Sequence, residues 1–156
     1  MTRALYVEVE GDPKSKGSML GFVVGKGKSA RAIVTHSQQS KDWEAIIRQH
    51  LGDARALDGP VSVELWFFLK RPKSVKDRPY PSVPPDIDKL TRATLDAIKG
   101  TIEDDSRVVD LDVRKRYAED YGVAPGVMIY VQETFDGRIE ERSIFDLIRK
   151  QRLEDV

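Results

Sequence analysis

The stretch PPDIDKLTR at residues 84–92 marks the start of the central helix predicted for this 156-residue chain. Its second proline, Pro85, favours an extended backbone ahead of the helix and disfavours helical structure there. Asp86 is then positioned to act as the N-cap, and Asp88 falls in the first turn, where the helix dipole favours negative charge. The sequence therefore predicts a helix that opens with two carboxylates.

The body of this helix has an apolar face and a polar face. Asp88, Arg92 and Asp96 are each four residues apart and so share the polar face. Gly100 is predicted to end the helix as its C′ residue. The apolar residues recur at helical spacing and are predicted to pack inward: Leu90, Ala93, Thr94, Ala97 and Ile98.

A second acidic segment, EDDS at residues 103–106, follows this helix. Because a helix of about 13 residues is about 20 Å long, the segment reaches Asp86 and Asp88 only if the fold returns it to them. Mg2+ prefers carboxylate oxygens, and a bound metal activates water and shields phosphate charge. We interpret the two segments as a candidate metal site. The alternatives are an ordinary helix cap at Asp86 and a solvated turn at residues 103–106.

Composition excludes several classes of function. The chain has no cysteine, which rules out disulfides, thiolate zinc sites and a cysteine nucleophile. Its two histidines have no partner at metal-ligand spacing, so a histidine-based triad is not expected. No run of 18 apolar residues and no signal peptide are visible, and we therefore expect a cytoplasmic protein without a membrane span.

The formal net charge of zero conceals an uneven distribution along the chain. Residues 1–79 contain 14 Lys and Arg against 9 Asp and Glu, whereas residues 80–156 contain 12 against 17. A metal-dependent nuclease needs an acidic part that holds cations and a basic part that attracts phosphates. The distribution is consistent with that class of enzyme.

Two basic loops are candidates for contacts with nucleic acid. The loop at residues 70–78 has five bases, one acid and a proline, and the loop at residues 11–17 has two lysines among small residues. Solvated lysines without a ligand are the alternative for both loops. We predict phosphate contacts from six side chains: Lys14, Lys16, Lys70, Arg71, Lys73 and Lys76.

Flanking patterns predict an α/β fold of the α+β type, with a small mixed sheet, two main helices and a short C-terminal helix. Strong alternation predicts a strand at Val61–Leu69, and Trp66 and Phe68 indicate that its second face is also partly covered. A later strand at Val109–Tyr117 is expected to bury Val109, Leu111 and Val113. It is predicted to form a hairpin with residues 127–132.

Three segments of the chain resemble the RusA family of Holliday junction resolvases. They are DIDKL at residues 86–90, LDAI at 95–98 and DDSRVV at 104–109. The family pattern has D-x-D-N-L at a helix start, D-A-L further along that helix and D-D-x-Q before the next strand. The loop GDPKSKG at residues 11–17 is similar to a glycine, proline and lysine loop of many members, and the resemblance covers about residues 5–133.

This resemblance implies a small homodimeric endodeoxyribonuclease that uses Mg2+, or Mn2+ in its place, to cut branched DNA at a four-way junction. The metal ligands would be Asp86, Asp88 and Asp105, and these residues would be catalytic together with Arg92. Arg92 replaces an important lysine of the family and keeps its charge but cannot shuttle a proton. Lys89 replaces the usual asparagine and is a further candidate for DNA contact.

The resemblance also suggests a division of the chain and leaves other functions open. We predict a RusA-like endonuclease domain at residues 1–135 and a C-terminal helical extension at residues 136–156. One alternative function is a metal nuclease that prefers flaps or forks. Another is a junction-binding protein that has lost cleavage, and a third is an acidic structural protein that binds calcium.

Overall fold

The computed structural model describes residues 3–17, 20–35, 37–54 and 56–134, together with residues 148 and 150. The early part contains strands β1 (Ala4–Glu10), β2 (Leu20–Val24) and β3 (Arg31–Thr35) and helix α1 (Gln38–Leu51). The later part contains β4 (Val61–Leu69), α2 (Ile87–Ala97), β5 (Val108–Tyr117) and β6 (Gly126–Glu133).

The main sheet is mixed and has the strand order β1-β6-β4-β5. Strand β6 is antiparallel to both β1 and β4, whereas β5 runs parallel to β4. The predicted fold class is thereby confirmed. Strands β2 and β3 pair only with each other and form a separate two-stranded sheet.

The predicted hairpin between the strands at 109–117 and 127–132 is wrong, because β4 lies between β5 and β6. The physical reason is the composition of β4, which is apolar on both faces and therefore favours a central position with neighbours on both edges. Strand β5 carries charged side chains at alternate positions and takes the edge, where such side chains remain hydrated.

Strand β4 packs against two separate apolar clusters, as its pattern predicted. Val63, Leu65 and Phe67 face the main core, which also contains the inward residues of α1 and α2. Trp66 and Phe68 belong to a smaller cluster on the other face of the sheet. The rigid centre of the sheet is thus fixed from both sides.

Both main helices lie on the main-core face of the sheet. Helix α1 begins after Ser37, whose side chain accepts a hydrogen bond from the Ser40 N–H at 3.3 Å. Helix α2 buries Leu90, Ala93 and Ala97 in or against this core, and its opposite face remains open to solvent. The helix is therefore held by its apolar face, which leaves the polar face free for chemistry.

The expected buried face of β5 is only partly correct. Val113 packs against the main core, but Val109 and Leu111 are 59% and 47% exposed. Leu95 of α2 lines an open pocket together with Val109 and Leu111, and both of these side chains remain largely exposed beside it. An exposed apolar surface therefore adjoins the start of β5.

The predicted C-terminal helix, and with it most of the extension at residues 136–156, lies outside the described residues. Ile148 is an exception, because it is buried within the smaller cluster beside Trp66 and Phe68. In the described part of the chain, no helix combines the length and the apolar character that crossing a bilayer requires.

Candidate active site

Asp86 occupies the N-cap position of α2, as predicted, but its side chain does not cap the helix. The carboxylate instead pairs with the Lys89 ammonium at 2.8 Å. The hydrogen bond from Lys89 and its positive charge lower the pKa of Asp86, and the charge of Lys115 adds to this effect. Asp86 is therefore an ionised carboxylate that already has a counter-ion.

The polar face of α2 lines an open cleft of about 450 Å³, named the Asp105 cleft below. Asp88, Arg92 and Asp96 line it together, which confirms that they share one face of the helix. Asp105 lies on the same cleft although it comes 17 positions after Asp88 in the sequence. The fold thus returns the second acidic segment to the helix.

The short turn Asp105–Arg107 positions this second segment. The Asp104 side chain accepts a hydrogen bond from the Ser106 N–H at 3.0 Å and so caps the turn. The same bond, together with the Ser106 side chain, lowers the pKa of Asp104. The first aspartate of the pair therefore has a structural contact, and the second lines the cleft.

Asp86 lines a neighbouring cleft of about 470 Å³, which also includes Asp88. Asp88 therefore belongs to both clefts, whereas Asp86 and Asp105 belong to one each. Across residues 3–17, 20–35, 37–54 and 56–134, no three acidic or histidine side chains come close enough together to hold a metal ion. The donor chemistry suits Mg2+, which binds one or two carboxylates and keeps several waters, but Asp86, Asp88 and Asp105 do not form one group of three.

Two lysines link Asp105 to the core of the fold. The Lys99 ammonium lies 3.7 Å from Asp105 and 3.5 Å from Asp96. The Lys16 ammonium lies 2.5 Å from Asp96 and 3.2 Å from Glu44 on α1. These ion pairs were not predicted from the sequence, although Asp96 was assigned to the correct face of α2.

The predicted DNA contact of Lys16 is not supported by its surroundings. Its side chain is only 13% exposed, and its backbone N–H donates to the Lys89 carbonyl at 3.0 Å. Burial alone would lower the pKa of Lys16, but the hydrogen bonds to Asp96 and Glu44 outweigh burial and raise it. Lys16 is a structural cation that joins the loop at residues 11–17 to both helices.

Arg71 is also engaged within the protein. Its guanidinium pairs with Glu119 and with Asp120, at 2.7 Å for the latter, and lies 4.1 Å from the ring centroid of Tyr117. It additionally donates to the Arg78 carbonyl at 2.5 Å. These contacts fix the loop at residues 70–78 to the turn after β5. They also engage the Arg71 guanidinium, which was predicted to contact phosphate.

The remaining predicted DNA contacts fall into two groups. Lys89 pairs with Asp86, and the Lys14 ammonium lies 2.6 Å from Asp12 in its own loop. The lysines at 70, 73 and 76 are exposed. For Lys70, Lys73 and Lys76, contact with DNA therefore stays a prediction.

Two comparisons with known proteins show what this chain is similar to. The chain is 28% identical over 137 residues to the uncharacterized protein YqaN of Bacillus subtilis (strain 168), a match that spans 80% of this chain and 93% of the relative. The model of the family described as endodeoxyribonuclease RusA matches residues 23–132, which include β4, α2, the Asp105 turn and β5. Because that match covers most of the chain and both acidic segments, the chain belongs to the RusA family of endodeoxyribonucleases.

Proposed function

We propose that this protein is a Mg2+-dependent endodeoxyribonuclease that resolves four-way DNA junctions by paired, symmetric phosphodiester hydrolysis. Membership of the RusA family supports the general activity, an endodeoxyribonuclease of the junction-resolving type. The observation that carries the proposal is the placement of Asp88 and Asp105 on one open cleft. Such a cleft brings carboxylates from two elements to a surface that DNA can reach.

We assign Asp88 and Asp105 as metal ligands, with Asp86 as the third. A bound Mg2+ would supply an activated water and shield the charge of the attacked phosphate. Asp86 can join the other two after it exchanges its contact with Lys89, which is an exposed pair and therefore weak. The released ammonium would then lie beside the DNA strand.

Arg92 would bind and orient the phosphate from the same helix face. It is exposed and lines the Asp105 cleft between Asp88 and Asp96. Its guanidinium pairs with phosphate oxygens in a bidentate manner and remains charged, which supports a role in charge stabilisation. Proton transfer to the leaving oxygen would have to come from solvent.

A homodimer is the assembly that this function needs, because a four-way junction has near two-fold symmetry and requires two cuts. Val109 and Leu111 offer an exposed apolar surface on β5, next to the turn that carries Asp105. We propose that a second copy covers this surface. The protein would act in the cytoplasm on branched DNA, through the domain at residues 1–135.

A junction-binding protein without cleavage is the second candidate. Two observations favour it: Arg92 takes the position of the family lysine, and Asp86 is paired with Lys89 rather than placed with Asp105. In that case, the same surface would bind DNA by charge and shape alone.

A cleavage assay on a synthetic four-way junction, labelled on each strand in turn, separates these functions. With Mg2+, the wild-type protein is expected to make symmetric nicks on two opposing strands, and with Ca2+ it is expected to bind without cutting. Asp88→Asn and Asp105→Asn should bind but not nick. The control is Asp42→Asn, an exposed carboxylate on α1 that lines neither cleft. Binding without nicks by the wild type would favour the non-cleaving candidate.

A further inference from the structure

The cleft on the other side of Asp88, named the Tyr80 cleft below, has a chemical character that metal binding does not explain. Asp86 and Asp88 line one part of it, and its remaining wall includes Tyr80, Pro84, Ile87 and Arg116. Its volume of about 470 Å³ lies in the range typical of sites for small organic groups. An aromatic ring, aliphatic surface and a guanidinium thus adjoin the proposed catalytic carboxylates.

Tyr80 and Arg116 lie against each other and form a charged platform. Tyr80 is 57% exposed and lines the cleft. The Arg116 guanidinium lies 5.0 Å from the Tyr80 ring centroid and 5.9 Å from that of Trp66. It is held in place by a hydrogen bond that it donates to the Lys115 carbonyl at 2.9 Å.

The loop that carries Tyr80 is fixed in position by Lys115. The Lys115 ammonium donates to the carbonyls of Val83 and Pro85, each at 2.9 Å. The Ser82 N–H also donates to the Tyr80 carbonyl at 2.8 Å. A preformed platform binds a flat ligand at a lower entropic cost than a mobile loop. Lys115 itself is used for this support, so Arg116 provides the accessible charge of the platform.

We propose that the Tyr80 cleft holds an unpaired DNA base next to the phosphate that is cut. This inference rests on the proposed function, because it assumes that the phosphate lies at Asp88. A nucleotide whose phosphate is there carries its base one sugar away, and the cleft is continuous with Asp88. Proteins stack unpaired bases on aromatic rings and on the planes of arginine side chains. The carboxylates of Asp86 and Asp88 disfavour the other candidate ligand, a second phosphate, in this cleft.

The test removes the base and the ring separately and then together. A set of four-way junctions is prepared, each with one abasic site at one of the three nucleotides on either side of the cut. Each junction is titrated in Ca2+ with wild type, Tyr80→Leu and Tyr80→Phe. At one position, loss of the base should weaken binding by wild type and Tyr80→Phe about fivefold or more. The same loss should weaken binding by Tyr80→Leu much less, because the aromatic ring on which the base stacks is already absent. Arg116→Lys, which keeps the charge but loses the plane, should reduce the effect of base removal.

The outcomes separate this inference from the proposed function. If the wild type binds and cuts the junction, but base removal weakens wild type and Tyr80→Leu equally at every position, the base site is refuted and the nuclease function stands. If the wild type does not bind the junction, both are refuted. Thermal unfolding of each variant establishes that an altered affinity does not come from lost structure.

Discussion

Replacing Lys16 by Met tests whether this residue is a structural cation or a DNA contact. The substitution removes the ammonium that lies between Asp96 on α2 and Glu44 on α1 and keeps most of the aliphatic stem. Two carboxylates are then left close together at the junction of the helices. We expect Lys16→Met to destabilise the fold and to leave the phosphate contacts of the protein unchanged.

The magnitude follows from the burial of the three groups. Side-chain exposure is 13% for Lys16, 8% for Glu44 and 22% for Asp96, so the network lies much nearer the buried limit than the exposed one. Breaking a fully buried pair by removing one partner costs about 3–5 kcal/mol, and exposed pairs contribute about 0–1 kcal/mol. We expect a loss of about 2–4 kcal/mol. For a domain of this size, this corresponds to a decrease of about 5–15 °C in Tm.

Urea and thermal unfolding measure the loss, and Lys14→Met is the matched control. Lys14 is in the same loop but is exposed and pairs only with Asp12, two residues away, so its replacement should change stability by less than about 0.5 kcal/mol. The salt dependence of junction binding by Lys16→Met, measured well below its Tm, should equal that of wild type. Unchanged stability combined with a salt slope that decreases by about one would refute the structural role of Lys16.

Three further predictions concern other charged groups. Lys73 is exposed and predicted to contact one phosphate, so Lys73→Gln should leave the stability of the fold unchanged. In anisotropy titrations, the same variant should reduce the slope of log K for DNA binding against log salt concentration by about 0.9. An unchanged slope would exclude that contact. Burial would raise the pKa of Glu133, but the hydrogen bonds from Arg3 and from the Asp58 N–H, together with the charge of Arg3, outweigh burial and lower it. These contacts therefore stabilise the fold above about pH 4.5, and stabilise it less as the pH falls through the folded-state pKa. Glu133→Gln should therefore be less stable than wild type at pH 7 and approach it in acid unfolding series, whereas a constant difference would contradict this sign. Lys89→Asn should tighten Mn2+ binding in the absence of DNA by up to about fivefold in calorimetric titrations, because Asp86 loses its counter-ion; weaker binding would show that Lys89 assists the metal.

The sequence predicted those features that depend on local patterns. The proline pair and the spacing of Asp88, Arg92 and Asp96 were sufficient to predict the start and the polar face of α2. Aromatic residues on the second face of β4 were sufficient to predict that this face is partly covered as well, and apolar clusters lie on both faces. These signals are contained within one turn of helix or a few residues of strand, so the rest of the fold does not alter them.

Features that depend on distant partners were not predictable in the same way. The neighbour of β5 in the sheet is β4, which is more than 35 residues earlier in the chain, and alternation alone does not identify a strand's neighbour. The ion pairs of Lys16 and Arg71 were not visible in the sequence because their acidic partners are distant along the chain. Lys16 pairs with Glu44 and Asp96. Arg71 pairs with Glu119 and Asp120. A lysine in a basic loop has the same local pattern whether it meets DNA or a buried carboxylate.

The resemblance to a family led to a prediction that local patterns did not give, namely that Asp105 acts together with the aspartates of α2. The fold brings Asp105 to the cleft that Asp88 lines, while Asp86 remains beside Lys89 in the adjoining cleft. The proposed enzyme therefore requires one rearrangement, in which Asp86 exchanges an ammonium for a metal ion. Both side chains of the Asp86–Lys89 pair are exposed, and such pairs are weak.

Anomalous scattering from Mn2+ in crystals of the protein with an uncut junction tests the metal assignment most directly. We predict an anomalous peak in the Asp105 cleft, bound by carboxylate oxygens of Asp88 and Asp105, with Asp86 turned away from Lys89 and toward the metal. A peak at another place on the protein, or a junction complex in which Mn2+ contacts none of these three carboxylates, would contradict the account.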